Sequence, residues 1–433
     1  MKGNKALILF LSIVLIICIN GCGSKSTKKV PSVPVKSDLF GKITVWSEKD
    51  DLKALQKAGE DFKKYHPDVD VQVIEVDSSK LYDKITVGLA TGSDFPDVFS
   101  INNDYIPLFV SKFPDGFMDV SSSISSIKNG FYGSQITESS VNGRSYAYPW
   151  KVVPSAIFYR TDIFSSLNIN PEDIKTWYDY NKAGALLLSK TDGKVKMFPM
   201  DEGSDVTLYQ EMLNQLKTGY FDQDGNPALN SDNALNAMAI IKKMCDTGII
   251  YNYSGDDSLY NAIKNGEVAT LPYGCYYAQI LKTIAPELSG KWGVIKFPTF
   301  EPGGNNDVSM EGSSLMITKA SKNTKVATEF AKFAVTDSNS LIDSFKKYEI
   351  LPAYASVLKD PIFDRNEEYF NNLKIWRLFK DIVKNSDDNH ISSNLIQTKK
   401  SVVEAQKDIL INKKDSQNVL DSLQLDMQSR FGK

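Results

Sequence analysis

The stretch from Lys42 to Ile101 admits few folds. Lys42-Ile43-Thr44-Val45-Trp46-Ser47 is rich in β-formers and reads as a first strand. Asp50 and Asp51 then precede a run with Leu52, Leu55, Phe62 and Tyr65 at near-helical spacing, stopped by His66-Pro67. The two aspartates are expected to cap this helix. Val69, Val71 and Val73 alternate with polar neighbours as a second strand. Ser78 and Ser79 are expected to cap a helix bearing Leu81, Ile85 and Leu89, closed by Gly92. Pro96 to Ile101 reads as a third strand. Strand, helix, strand, helix, strand is a parallel α/β unit. Its ligands belong at the carboxyl ends of the strands, here Trp46-Ser47-Glu48 and Ile101-Asn102-Asn103-Asp104-Tyr105.

The rest of the chain keeps the α/β texture. Tyr146 to Trp150 leads into a strand at Ala156–Tyr159, and Thr176-Trp177 opens a helix. Strand-like runs recur at 195–200, 293–297 and 315–317. Helices are expected near 209–216, 231–246, 256–263 and 324–335, and from Leu341 onward the chain reads as largely helical. Its last helix carries Leu420, Leu423, Met427 and Phe431 on one stripe. Asp222 to Pro227 reads as a turn; it lacks the ligand spacing and terminal Glu of a calcium loop.

The N-terminus constrains location. Met1 to Lys5 carries two lysines, and Ala6 to Ile19 is apolar apart from Ser12. Fourteen residues are too few to span a bilayer, which takes about 20, but they suit a secretory leader. Residues 1–21 are therefore read as a signal peptide. Residues 22–37, small, polar and Pro-rich, are read as a flexible tether. Removing the leader leaves 412 residues, enough for two or three domains. The full chain has 50 basic and 53 acidic residues; Lys2 and Lys5 leave with the leader, so 48 basic residues remain. No basic excess of the kind a nucleic-acid binder shows is present. Arginine is confined to positions 144, 160, 365, 377 and 430, which leaves few bidentate groups for anionic ligands. Only His66 and His390 are histidines, so neither a zinc cluster nor a His-dependent triad is favoured. Cys245 and Cys275 can pair in an oxidising compartment, but two separate thiols are the preferred reading.

Several stretches in this order resemble a known family. They are Ile43–Trp46 followed by Phe62–Val69; Thr91-Gly92-Ser93-Asp94-Phe95-Pro96-Asp97-Val98; Tyr148-Pro149 with Ile157–Phe164; Asn265–Ala269 through Tyr276; and Glu311–Asn323. Together they resemble the extracellular solute-binding proteins of ABC importers, in the branch that mostly takes up oligosaccharides. Ile19-Asn20-Gly21-Cys22 resembles a bacterial lipobox, with Asn20 where that motif takes a small residue; lipidation at Cys22 would follow. The resemblance implies a two-lobed α/β, periplasmic-binding-protein-like fold of type II, with crossover hinge strands and a ligand cleft. Lobe one would be 38–153 plus 300–345, and lobe two 154–299 plus 346–433. It also implies a monomer held by lipid at the outer face of the cell membrane, serving an ABC permease driven by a cytoplasmic ATPase. No cofactor, metal or enzymatic activity is expected. No Gly-rich phosphate loop occurs, so ATP hydrolysis falls to a partner.

A sugar presents C–H faces to flat aromatics and hydroxyls to planar polar groups. Tyr276 is the first candidate, at a position where sugar-binding relatives place a stacking Trp. Tyr273 flanks it, and Tyr277 reads equally well as core. Trp46, Glu48 and Asp50 follow the first strand, and Asn103 and Asp104 the third. Trp150, Asp201, Glu311, Trp376 and His390 complete the candidates, Trp376 reading more readily as core and His390 as solvated. The pair Tyr276-Tyr277 also resembles that of ferric-ion binders, which the rest of the chain resembles less. Two rival readings are a ligand sensor for a membrane kinase and a secreted carbohydrate-active enzyme using two carboxylates.

Overall fold

A computed structural model describes residues 38–387, except Gln223, and 391–432, with Glu311 described by its backbone alone. The leader, Cys22, the tether and His390 lie outside the described residues. No described helix is long and apolar enough to cross a membrane. The strands used below are β1 (Gly41–Ser47), β2 (Val69–Glu75), β3 (Val98–Asn102), β4 (Ala147–Arg160), β5 (Phe198–Met200), β6 (Ile250–Asn252), β7 (Thr270–Gly274), β8 (Trp292–Ile295) and β9 (Val308–Ile317). The helices are α1 (Lys49–Tyr65), α2 (Ser78–Thr91), α3 (Trp177–Lys190), α4 (Thr207–Gln215), α5 (Asp232–Thr247), α6 (Asp256–Asn265), α7 (Tyr277–Ile284), α8 (Thr324–Thr336), α9 (Ser338–Tyr348), α10 (Ile375–Asn385), α11 (Leu395–Leu410) and α12 (Ser416–Phe431).

The opening unit folds as its pattern requires: β1 pairs in parallel with β2 on one side and β3 on the other. Alternation along β1 divides its side chains between two cores. Ile43 and Val45 pack with Leu55, Phe62 and Phe330, and Trp46 packs with Phe99, Phe109 and Met316. Beyond β3 the sheet turns antiparallel through β9 and then β4.

β4 runs through one seven-stranded mixed sheet and changes partners along its length. Ala147 to Ser155 pairs with β9, whereas Ser155 to Arg160 pairs with β7 on one edge and β8 on the other. Pro154, which has no N–H to donate, sits where the partner changes. β9 has register breaks between Met310 and Ser314, and Leu351–Ala353 forms a third strand-like crossing, bonded to β4 at Trp150 and Val152. β5 and β6 pair in parallel, and a bridge from Lys196 to Val268 brings them beside β7. A third core lies here, built from Trp177, Tyr180, Tyr209, Met238, Ile241 and Met427.

Three local expectations change. The N-cap of α1 is Glu48, whose side chain makes no capping bond. Asp51 is turned inward instead, to Ser100 and Lys151. The cap of α2 is Asp77, accepting from the Ser79 amide at 2.9 Å. Between Glu349 and Lys374 the chain makes only single 3-10 turns rather than regular helix. Gly92 closes α2 at φ 70° as expected, a left-handed position suited to glycine. Cys275 is buried and Cys245 half-buried, and both are free thiols. Burial pushes the Cys275 thiol up to about 12, so it is inert at neutral pH. Asp222 accepts the amides of Asp224 and Asn226, closing the 222–227 turn on itself.

Candidate functional site

The candidate site gathers around the stretch where β4 changes partners. Its first edge is the carboxyl end of β1 and the start of α1. Glu48 is half-buried and Asp50 exposed. Asp51 is buried, accepting the Lys151 ammonium at 2.6 Å and the Ser100 hydroxyl at 2.9 Å. Burial opposes the charge on Lys151, but Asp51, Asp50 and Glu48 outweigh it and hold the ammonium above its ordinary value. Gly312 of β9 is needed for this approach: a Cβ there would meet the Lys151 carbonyl at 2.4 Å.

A second part of the candidate site is a wall of tyrosines. Tyr273, at the end of β7, stacks on Tyr277 with centroids 4.2 Å apart and planes 13° from parallel. Its hydroxyl lies 3.5 Å from that of Tyr253. Tyr276 leans on Tyr277 at 5.2 Å. Gly274 makes that fold-back possible, since a Cβ there would lie 2.4 Å from Val153 and 2.8 Å from the Tyr276 ring. Tyr276 keeps 42% of its surface exposed, whereas Tyr273 and Tyr277 are buried. Burial, reinforced by Glu211 and Asp205, nonetheless pushes its hydroxyl well up. Tyr260 on α6 is raised by burial, then by Asp256 and by Asp50 of α1. Asp50 of α1 and Tyr260 of α6 therefore lie within electrostatic reach of one another.

The remaining candidates are placed differently. Trp376 is fully buried, with its indole N–H on Glu367 at 2.6 Å and its ring against Phe345; it is core, not cleft. Trp150 is buried in the same core. Asn103 is a clip rather than a free amide: it donates to Glu138 at 2.9 Å and accepts from Ser314 at 2.7 Å. Asp104 is buried, 4.0 Å from the Lys399 ammonium of α11. Trp46 is buried under β1, with Lys84 5.8 Å above its ring. Asp201 accepts from Gly203 and Ser204 and so shapes the loop beside Tyr253. Glu311 lies in β9, next to Gly312.

Sequence reasoning missed Lys151, Tyr253 and Tyr260. Lys151 had a signal, as a lone cation in the apolar run Tyr148–Val153. Tyr253 had one too, since it directly follows the parallel strand β6, as Asn103 follows β3. Tyr260 had none, because it sits in a helix beside the apolar stripe of Leu259 and Ile263. Among the described residues, no group of three or more His, Cys, Asp or Glu is placed to hold a metal ion.

Glu48 links this site to stability. Burial is the largest influence on its carboxyl and raises it; Lys151 lowers it, and Asp51 and Asp50 raise it further. A raised carboxyl favours the fold below the ordinary carboxylate range, and that contribution is lost as pH rises through the raised value. At pH 7 the fold therefore holds an unfavourably placed carboxylate. Glu48→Gln is expected to raise the unliganded melting temperature at pH 7. The gain should vanish near pH 4, where the parent is protonated too; thermal melts at both values check this.

A central mixed sheet flanked by helices is the α/β fold of two-lobed solute-binding proteins. The chain belongs to the bacterial extracellular solute-binding protein family, whose pattern matches residues 46–340. It is 25% identical over 341 residues to an arabinooligosaccharide-binding protein of Bacillus subtilis, covering 77% of this chain and 76% of that one. It is 24% identical over 376 residues to a galactooligosaccharide-binding protein of the same organism, covering 84% of each. The fold matches the sugar-binding protein MalE of Xanthomonas citri with a TM-score of 0.78 at 17% identity, over 90% of this chain and 97% of that one.

Proposed function

We propose that this protein captures a sugar or oligosaccharide between its lobes and delivers it to an ABC import permease. The observation that supports the reading is the partly exposed Tyr276 ring leaning on Tyr277, and we take Glu48 and Asp50, just past β1, as its hydroxyl-binding partners. The names of the relatives support a carbohydrate, and the scarcity of arginine supports an uncharged one. We take the lobes as 38–153 plus 300–345 and 154–299 plus 346–433, with β4 passing from one to the other and Leu351–Ala353 bonded to it just past the second boundary. Ligand contacts on both lobes shift the population toward the closed form, which docks on the permease while a cytoplasmic ATPase supplies energy. The protein acts as a monomeric carrier, not an enzyme, and Cys22 carries the lipid that holds it at the outer membrane face.

A thermal-shift panel tests the ligand class, using arabino-, galacto- and maltooligosaccharides with peptides and polyamines as controls. A true ligand at about 1,000 times its dissociation constant stabilises by about 4 kcal/mol. Stabilisation by a control and by no sugar would overturn the carbohydrate reading. Prolonged incubation should return the bound sugar intact, since cleavage products would indicate an enzyme. Cys22→Ser should release a competent binder into the medium, read by fractionating cells and assaying both fractions for the same shift.

A further inference from the structure

Behind the tyrosine wall lies a buried knot of charge that the binding reading does not use. Lys282, on α7, donates to Glu349 and, at 2.8 Å, to Glu367. Arg365 donates to Glu349 at 3.0 Å and to Glu367, and its guanidinium lies 4.9 Å above the Phe345 ring. Trp376 donates its indole N–H to Glu367. Both carboxylates are buried, and Glu349 Oε2 has no hydrogen-bond partner. Glu349 also ends α9 in the left-handed conformation, φ 54°, which costs any residue with a Cβ. An apolar cluster of like volume is commonly as stable as such a buried ionic group. Stability alone therefore does not account for this arrangement.

Its connections do. Lys282 lies on the helix that starts at Tyr277, one residue after Tyr276. Glu349 stands two residues before Leu351, whose carbonyl accepts the Val152 amide at 3.0 Å; the Ala353 amide returns to the Trp150 carbonyl at 3.1 Å. Lys151, between those two β4 residues, carries the ion pair of the acid edge. One carboxylate thus ties the tyrosine-bearing helix to the crossing segment at the hinge.

We infer that Glu349 is a positioning residue for ligand capture: through Lys282 it couples the placement of the tyrosine wall to the bend of the 351–353 crossing, so that a ligand seated on Tyr276 drives closure. This rests on the carbohydrate reading for its ligand arm but not for its ligand-free arm. Without the tie, α7 and α9 separate more freely, so Glu349→Gln in the full chain should show a larger unliganded radius of gyration by small-angle scattering. An unchanged radius overturns the inference. With an arabino- or galactooligosaccharide as probe, the variant should bind at least about tenfold more weakly and contract less. In a Tyr276→Ala background the same change should cost less than about threefold, because both act through one wall. Penalties that multiply independently, or a lowered melting temperature with parental affinity, would mean that the knot only stabilises the fold. Failure of the carbohydrate reading shows separately, as no binding of either probe by the parent.

Discussion

Tyr276→Ala removes most of the ligand-induced thermal shift while leaving the unliganded melting point within about 2 °C of the parent. The two halves of this result have different physical origins. Binding suffers because an aromatic anchor in a desolvated contact typically accounts for about 2 kcal/mol or more, roughly thirtyfold to a hundredfold in affinity. The free protein hardly suffers because 42% of the residue's surface is already exposed. Tyr273→Ala is the internal contrast. That ring is buried and stacked on Tyr277, so its loss should cost about 3 kcal/mol of stability. Calorimetric titration with the best oligosaccharide of the panel, beside melts of both variants, separates the cases. An unliganded Tyr276→Ala protein that unfolds well below the parent would assign that ring to the core.

The opening unit was legible because its cores repeat a simple period. Valines alternate through β2, and Leu55 and Phe62 of α1 meet Ile43 and Val45 from one side. The crossing strands were less legible. Pro149 and Pro154 break β4 into what reads as two short runs, yet proline is tolerated there because a strand that changes partners has amides it need not pair. Gly312 breaks β9 in the same way. Capping was misread where tertiary bonds compete: Asp51 accepts from Lys151 and Ser100 instead.

The site divides along the same line. Glu48, half-buried just past β1, stood out by the parallel-sheet rule, and Asp50, exposed beside it, by resemblance. Tyr276 came from resemblance, and its half-open placement is the structure's addition. Trp376 and Asn103 carry the right chemistry for a sugar, but Glu367, Glu138 and Ser314 consume their polar groups. No local pattern distinguishes a side chain turned to the cleft from one turned to a buried carboxylate, because the partners lie up to 211 positions away in the chain.

Asp51→Ala should be the most destabilising single change at the acid edge. It deletes the carboxylate that accepts from Ser100 and Lys151, and leaves an ammonium that keeps only 22% of its side-chain surface in water. Breaking a buried pair from one side costs about 3 to 5 kcal/mol. We expect the lower end, about 3 kcal/mol, because Lys151 retains that water and has Glu48 near enough to interact with its charge. Denaturant melts at pH 7 measure it, and an unaltered denaturant slope would show that the compactness of the end states is unchanged. Lys151→Met removes the orphaned charge, so the double variant should regain most of the loss. Double-variant stability equal to the sum of the two single losses would mean that the pair is not coupled. A recovered fold that binds sugar poorly is the informative outcome. It would mean that Asp51 and Lys151 persist in this sequence because they orient Glu48 and Asp50 at the cleft, not because the fold requires an ion pair there.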